Sequence, residues 1–125
     1  MIQLDTSFLI RALLSGSPED KRLRQWMVDG ETVRIGAIAW TEFLCGPLSE
    51  DQIELAARVL DEPLPFSVDH ATLAADLYNR TGRKRGTLVD CMIAAIAIQS
   101  GARLATENRT DFSRMKAAGL VLAES

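Results

Sequence analysis

Four acidic residues, far apart in the chain, each border a segment that reads as regular structure: Asp5, Glu42, Asp90 and Asp111. Asp5 ends the apolar run Met1–Leu4 and is followed by Thr6 and Ser7. Glu42 comes just after the strand-like run Val33–Ile38, and Asp90 opens the apolar stretch Cys91–Ile98. Asp111 follows Ala105-Thr106-Glu107-Asn108-Arg109-Thr110. Open α/β sheets place their sites at the carboxyl ends of strands. Carboxylates gathered there without histidines suit hard divalent cations such as Mg²⁺ or Mn²⁺. Such a cation supplies an activated water, charge neutralisation on a phosphate and stabilisation of a leaving oxygen. The chemistry in view is metal-assisted phosphodiester hydrolysis, which needs no covalent nucleophile on the protein. Mutual repulsion makes the cluster costly without a cation.

Each acid also fits a role in local structure. Asp5 can end a strand and cap the helix that follows. Asp90 completes Thr87-x-x-Asp90, a capping-box pattern. Asp111 is an aspartate in a first helical turn, where the helix dipole favours it. Glu42 fits a surface helix. Taken singly, none is specific; the set, on an α/β pattern, narrows the reading.

The elements that must position them follow from pattern. Met1–Leu4 reads as a first strand and Ser7–Leu14 as a short helix capped by Thr6 or Ser7. Ser17-Pro18-Glu19-Asp20 combines an N-cap, a proline at the first helical position and an acidic first turn, and starts a helix reaching Val28. Val33–Ile38 is a second strand, and Thr41–Cys45 a short helix closed by Gly46-Pro47. Ser49 to Gln52 forms a capping box for a helix to about Leu60. Leu64–Val68 reads as a third, shorter strand, with Asp69 capping the next helix. Beyond the basic loop Arg80–Gly86, Thr87–Ser100 is apolar nearly all round and therefore predicts a buried helix. Arg103–Ala105 is a further strand, Asp111–Ala117 a helix and Leu120–Ala123 a terminal strand. This alternation calls for a three-layer α/β/α fold around a central, mostly parallel sheet of four to five strands.

The 125 residues are expected to form one domain, 1–125. A composition that is 47% hydrophobic and 25% charged excludes global disorder. A net charge of −3 means that a nucleic-acid ligand would need a local basic patch or bridging cations. The start Met1-Ile2-Gln3-Leu4-Asp5 lacks the features of a secretory signal. Cys91–Ile98 falls well short of the roughly 20 residues of a membrane span. The expected location is therefore cytoplasmic. Cys45 and Cys91 fit no metal-binding or disulfide spacing and read as reduced, buried thiols.

Four segments together resemble one family. They are Met1–Ile10, Ile38–Phe43, Val89–Ala97 and Leu104–Phe112, and their wording and order are similar to those of PIN domains, most closely the VapC-type toxins of bacterial toxin–antitoxin pairs. The resemblance implies a Mg²⁺- or Mn²⁺-dependent endoribonuclease that cleaves RNA and is silenced by a small antitoxin protein. It assigns Asp5, Glu42, Asp90 and Asp111 to catalysis and metal binding. Thr6 and Ser7 take the place of the polar residue after the first aspartate, and Thr106 and Asn108 belong to the Thr/Ser-x-Asn element.

Arg83, Lys84 and Arg85, just before Asp90, are candidate phosphate contacts, though a solvated loop is an equal reading. A homodimer is expected, partly from the resemblance. Its other ground is Phe8, Leu9, Trp26, Phe43 and Leu44, more apolar bulk than one core of this size should hold. An antitoxin would cover the acidic groove with a basic side chain. Two other classes remain open: a non-catalytic RNA-binding or interaction module, and a metal-dependent phosphatase or phosphotransfer protein. The intact acidic set disfavours the first. For the second, Leu4-Asp5-Thr6-Ser7 lacks the second aspartate of an Asp-x-Asp nucleophile motif.

Overall fold

The computed structural model describes residues 1–124. The elements in order are β1 (Ile2–Leu4), α1 (Thr6–Ala12), α2 (Pro18–Val28), β2 (Val33–Ile35), α3 (Ala37–Leu44) and α4 (Glu50–Val59). They continue with α5 (Val68–Arg80), α6 (Leu88–Ser100), β3 (Arg103–Ala105), α7 (Arg109–Ser113), a 3₁₀ turn (Lys116–Ala118) and β4 (Val121–Leu122). The strands form one sheet in the order β2-β1-β3-β4, and every pairing is parallel. Parallel neighbours cannot be joined by hairpins, so helical crossovers connect them. Leu4 pairs with Ile35 on one side and with Ala105 on the other. The carboxyl ends of β2, β1 and β3 therefore finish level.

Ile2, Gln3 and Leu4 of the central strand are all fully buried. Alternate side chains of a strand face opposite sides, so helices cover both faces and the architecture is three-layer α/β/α. On the α6 side, the Gln3 side-chain amide donates to the Ile93 carbonyl at 3.1 Å. Helix α6 sends Cys91, Ile93, Ala94, Ala95, Ile96 and Ala97 into the core. Helix α3 begins very close to it. A methyl added at Gly36 would lie 2.9 Å from Ile96 Cδ1 and 3.4 Å from Gln3 Nε2. A larger residue at this turn would have to push aside the end of the Ile96 side chain.

Several boundaries differ from the sequence expectations. The second strand stops at Ile35 instead of Ile38, and its helix starts at Ala37 instead of Thr41. Gly36 is the N-cap of that helix, and the Trp40 amide already bonds to its carbonyl. The third strand expected at 64–68 is reduced to a single parallel bridge between Gly36 and Leu64. Leu64 donates to the Ile35 carbonyl and accepts from the Ala37 amide, but Pro63 and Pro65 on either side have no N–H to extend the ladder. Ser67 caps α5 in place of Asp69, with His70 Nδ1 accepting from the Ser67 amide. The helix expected over 111–117 begins at Arg109, breaks after Ser113 and resumes as the 3₁₀ turn.

The apolar bulk expected at an interface lies inside the chain. Phe8, Leu9, Trp26 and Phe43 are all buried in the chain's own core, with Phe8 stacked on Trp26 at 5.5 Å between ring centroids. Only Leu44 of that set is exposed. Different residues line the surface. Leu13, Met27, Leu55 and Val59 border an apolar groove of about 600 Å³ between α1, α2 and α4. Ile10, Leu14, Leu88 and Val89 are exposed elsewhere. Cys45 is exposed instead of buried, while Cys91 is buried as expected. Among the described residues, no helix is long and apolar enough to cross a membrane.

Candidate functional site

Asp5 is the first residue beyond β1, and its amide donates to the Ala105 carbonyl of β3 at 3.0 Å. It is only 3% exposed. A buried carboxylate must replace the water it loses with protein donors, and Asp5 does so on both oxygens. Oδ1 accepts from the Phe8 amide at 2.9 Å and from the Ser7 hydroxyl at 2.7 Å. Oδ2 accepts from the Thr106 hydroxyl. Asp5, not Thr6 or Ser7, is thus the N-cap of α1. Thr106 reaches it because Leu4 pairs with Ala105, which puts the next residues of the two strands side by side.

The two hydroxyls are themselves fixed. Ser7 Oγ accepts from the Glu107 amide at 3.1 Å, and Thr106 Oγ1 accepts from the Asn108 amide at 2.9 Å. Two backbone N–H groups thus orient two hydroxyls, and the hydroxyls orient one carboxylate. Asn108 takes part through its backbone. Its side chain makes no capping bond to α7.

The other three acids stand around this centre. Thr6 Oγ1 lies 2.9 Å from Glu42 Oε1 and 3.1 Å from the Ala39 carbonyl, which ties exposed Glu42 on α3 to the start of α1. Asp90 is in the first turn of α6 and is half-buried. Its capping-box role is not realised: the Thr87 hydroxyl donates to the Lys84 carbonyl at 2.7 Å and makes no cap bond. Asp111 is exposed in the first turn of α7. Arg109 anchors that helix by donating Nη1 to the Ala123 carbonyl at 2.5 Å, just beyond β4.

Burial first, and then the fields of Asp111, Glu42 and Asp5, push the Asp90 carboxyl up from an ordinary 3.8 to about 6. Burial likewise raises the Asp5 carboxyl from its ordinary value, with Glu42 adding to the rise, although the three hydrogen bonds to Asp5 pull the other way. The four carboxylates therefore share one electrostatic environment. Among the described residues no three acidic, histidine or cysteine side chains stand close enough together to hold a metal ion as they are. The donors are all oxygen, and the one histidine, His70, is engaged in its own helix cap. Such a set fits a hard divalent cation and does not fit zinc.

The basic loop before α6 is held in a defined shape. Arg83 has a left-handed backbone, φ 52°, and its carbonyl accepts from the Tyr78 hydroxyl at 3.0 Å. The Arg83 Nε donates to Asn79 Oδ1 at 3.0 Å. Arg83 is therefore occupied, whereas Lys84 and Arg85 are exposed and make no ion pair among the described residues. Sequence reasoning overlooked Arg114, three residues after Asp111, whose charge is felt by Asp90. That helical spacing was the available signal.

A PIN-domain family model matches residues 2–118. No curated protein matches. Among solved structures, VapBC2 from Rickettsia felis, bound to a promoter DNA fragment, is similar at 22% identity and TM-score 0.78, covering 98% of each chain. A toxin–antitoxin complex from Klebsiella pneumoniae is 25% identical, TM-score 0.67, over 90% of this chain and 91% of that one. VapC20 from Mycobacterium tuberculosis, a Sarcin-Ricin loop cleaving toxin, is 18% identical, TM-score 0.68, over 100% of both.

The raised Asp90 carboxyl has a consequence for stability. Between pH 3.8 and about 6 the folded protein keeps a proton that the unfolded chain has released. Its contribution therefore weakens stability as pH rises through that window and then levels off. In chelator, Asp90→Asn should gain stability relative to the parent chain as pH is raised from about 4 to 7. Urea denaturation of both proteins across that range is the check. A stability difference that does not vary with pH would contradict the shared environment.

Proposed function

The chain belongs to the PIN-domain family, and we propose that it is a metal-dependent endoribonuclease, the toxin of a type II toxin–antitoxin pair. The observation that carries this reading is the buried Asp5 carboxylate, locked by Ser7, Thr106 and the Phe8 amide, together with an Asp90 carboxyl that feels Asp111, Glu42 and Asp5. The toxin–antitoxin and loop-cleaving descriptions of the structural neighbours support the assignment to that class.

In this reading Asp5, Glu42, Asp90 and Asp111 hold Mg²⁺ or Mn²⁺ and carry catalysis. When bound, the cation supplies Lewis acidity at the phosphate and acidifies a water. The chain's part is positional. Ser7 and Thr106 keep Asp5 in one rotamer, Thr6 ties Glu42 to the start of α1, and the Asn108 and Glu107 amides hold the hydroxyls that do the holding. Lys84 and Arg85 contact backbone phosphates of RNA, while Arg83 stays on Asn79. The antitoxin is a protein partner that places a basic side chain against the acidic residues, with the apolar groove between α1, α2 and α4 as a further surface for it. A homodimer would draw on the exposed Ile10, Leu14, Leu44, Leu88 and Val89. The setting is cytoplasmic.

RNA cleavage with and without Mg²⁺ or Mn²⁺ tests the activity. The parent protein should cut only with the cation, and Asp5→Asn should lose cutting while keeping its circular dichroism spectrum. Full activity in folded Asp5→Asn would overturn the metal-site assignment. Replacing Lys84 and Arg85 together with Ala, in the non-cleaving Asp5→Asn background, should weaken RNA binding and flatten the salt slope by about one unit per lost phosphate contact. An unchanged slope would leave the loop to solvent. Light scattering over a concentration series should show a dimer; a monomer at high micromolar concentration would remove the dimer and leave the nuclease standing.

A further inference from the structure

One cation whose charge is felt by Asp90 keeps its terminal nitrogens free in the resting protein. Arg114 is the C-cap of α7 and is half-buried. Its Nε donates to the Asp111 carbonyl at 3.2 Å, which folds the side chain back over the turn that carries Asp111. Helices α6 and α7 pack together, and the Arg114 charge reaches both Asp90 and Cys91 at the start of α6. Yet Arg114 makes no ion pair among the described residues, and its two terminal nitrogens donate no hydrogen bond there. Other arginines of the chain are spent: Arg11 on Glu19, Arg24 on Asp20, Arg80 on Asp76 and Arg103 on Glu31.

A guanidinium is always protonated, so it cannot be a metal ligand. Its free fork matches two oxygens of a phosphate. We propose that Arg114 is a further catalytic residue, binding the non-bridging oxygens of the scissile phosphodiester beside the carboxylates as negative charge builds on them. This rests on the nuclease reading above. It also gives Asp111 a backbone duty, since its carbonyl aims the guanidinium.

The test is steady-state RNA cleavage with Mn²⁺ by the parent protein, Arg114→Ala, Arg114→Gln and Arg114→Lys, with Mn²⁺ affinity measured by calorimetry on each. Removing a donor to developing charge should lower kcat on the order of 10²–10³-fold with little change in KM. Arg114→Lys should recover part of the loss, and added guanidinium should partly rescue Arg114→Ala. Mn²⁺ affinity should hold or rise. Arg114→Gln keeps much of the stem and serves if Ala disturbs α7. With an active parent, kcat within about threefold in the Ala and Gln variants, or a loss confined to KM, overturns the proposal. Lost Mn²⁺ binding without rescue by guanidinium also overturns it and makes Arg114 structural. An inert parent protein overturns the nuclease reading itself.

Discussion

A carboxylate buried at the edge of a sheet must be given donors for the water it has lost, and the way Asp5 obtains them organises the rest of the molecule. One donor is the Phe8 amide at the start of α1, so α1 must begin immediately after β1. Another is Thr106, available only in the register that pairs Leu4 with Ala105. A third is Ser7, whose own acceptor site is filled from the loop after β3. Capping α1 and fixing the carboxylate are thus one interaction. Shifting β1 by one residue against β3 would separate Asp5 from Thr106 and turn Gln3 away from α6.

The acids grade from inside to outside. Asp5 is buried, Asp90 half-buried, and Glu42 and Asp111 exposed. The inner pair feels burial most, which pushes both carboxyls upward, while the outer pair stays open to solvent on short helices. The outer carboxylates can adjust to a ligand, whereas the inner one cannot move without breaking three bonds. Gly36 spares the Ile96 side chain a close contact where α3, which bears Glu42, starts against α6, which bears Asp90.

Much of this was readable from residue type. The all-round apolar character of 88–100 marked α6 as buried, and strand–helix alternation implied a parallel sheet. The acids stood out because each borders a structured segment. Boundaries were less readable where long-range bonds decide them. Thr41–Cys45 understated α3 because the bond from Ala37 to Leu64, distant in sequence, sets its start. A run such as Leu64–Val68 looks like a strand until Pro63 and Pro65 are counted as missing donors. Thr87-x-x-Asp90 has the letters of a capping box, but the basic loop claims the threonine hydroxyl. The apolar bulk of Phe8, Leu9, Trp26 and Phe43 suggested an interface because the capacity of a core is not visible in composition. The backbone amides of Glu107 and Asn108 carry no side-chain signature at all.

The central claim is that four carboxylates in one field form a divalent-cation site. Calorimetric titration of Mn²⁺ at pH 6, repeated in two buffers of different ionisation enthalpy, tests it most directly. Since Asp90 titrates at about 6, a cation that binds the ionised form must displace protons. The account predicts saturable binding with net proton release, lost in Asp5→Asn. Saturable binding with no proton release, or none at all, would contradict it.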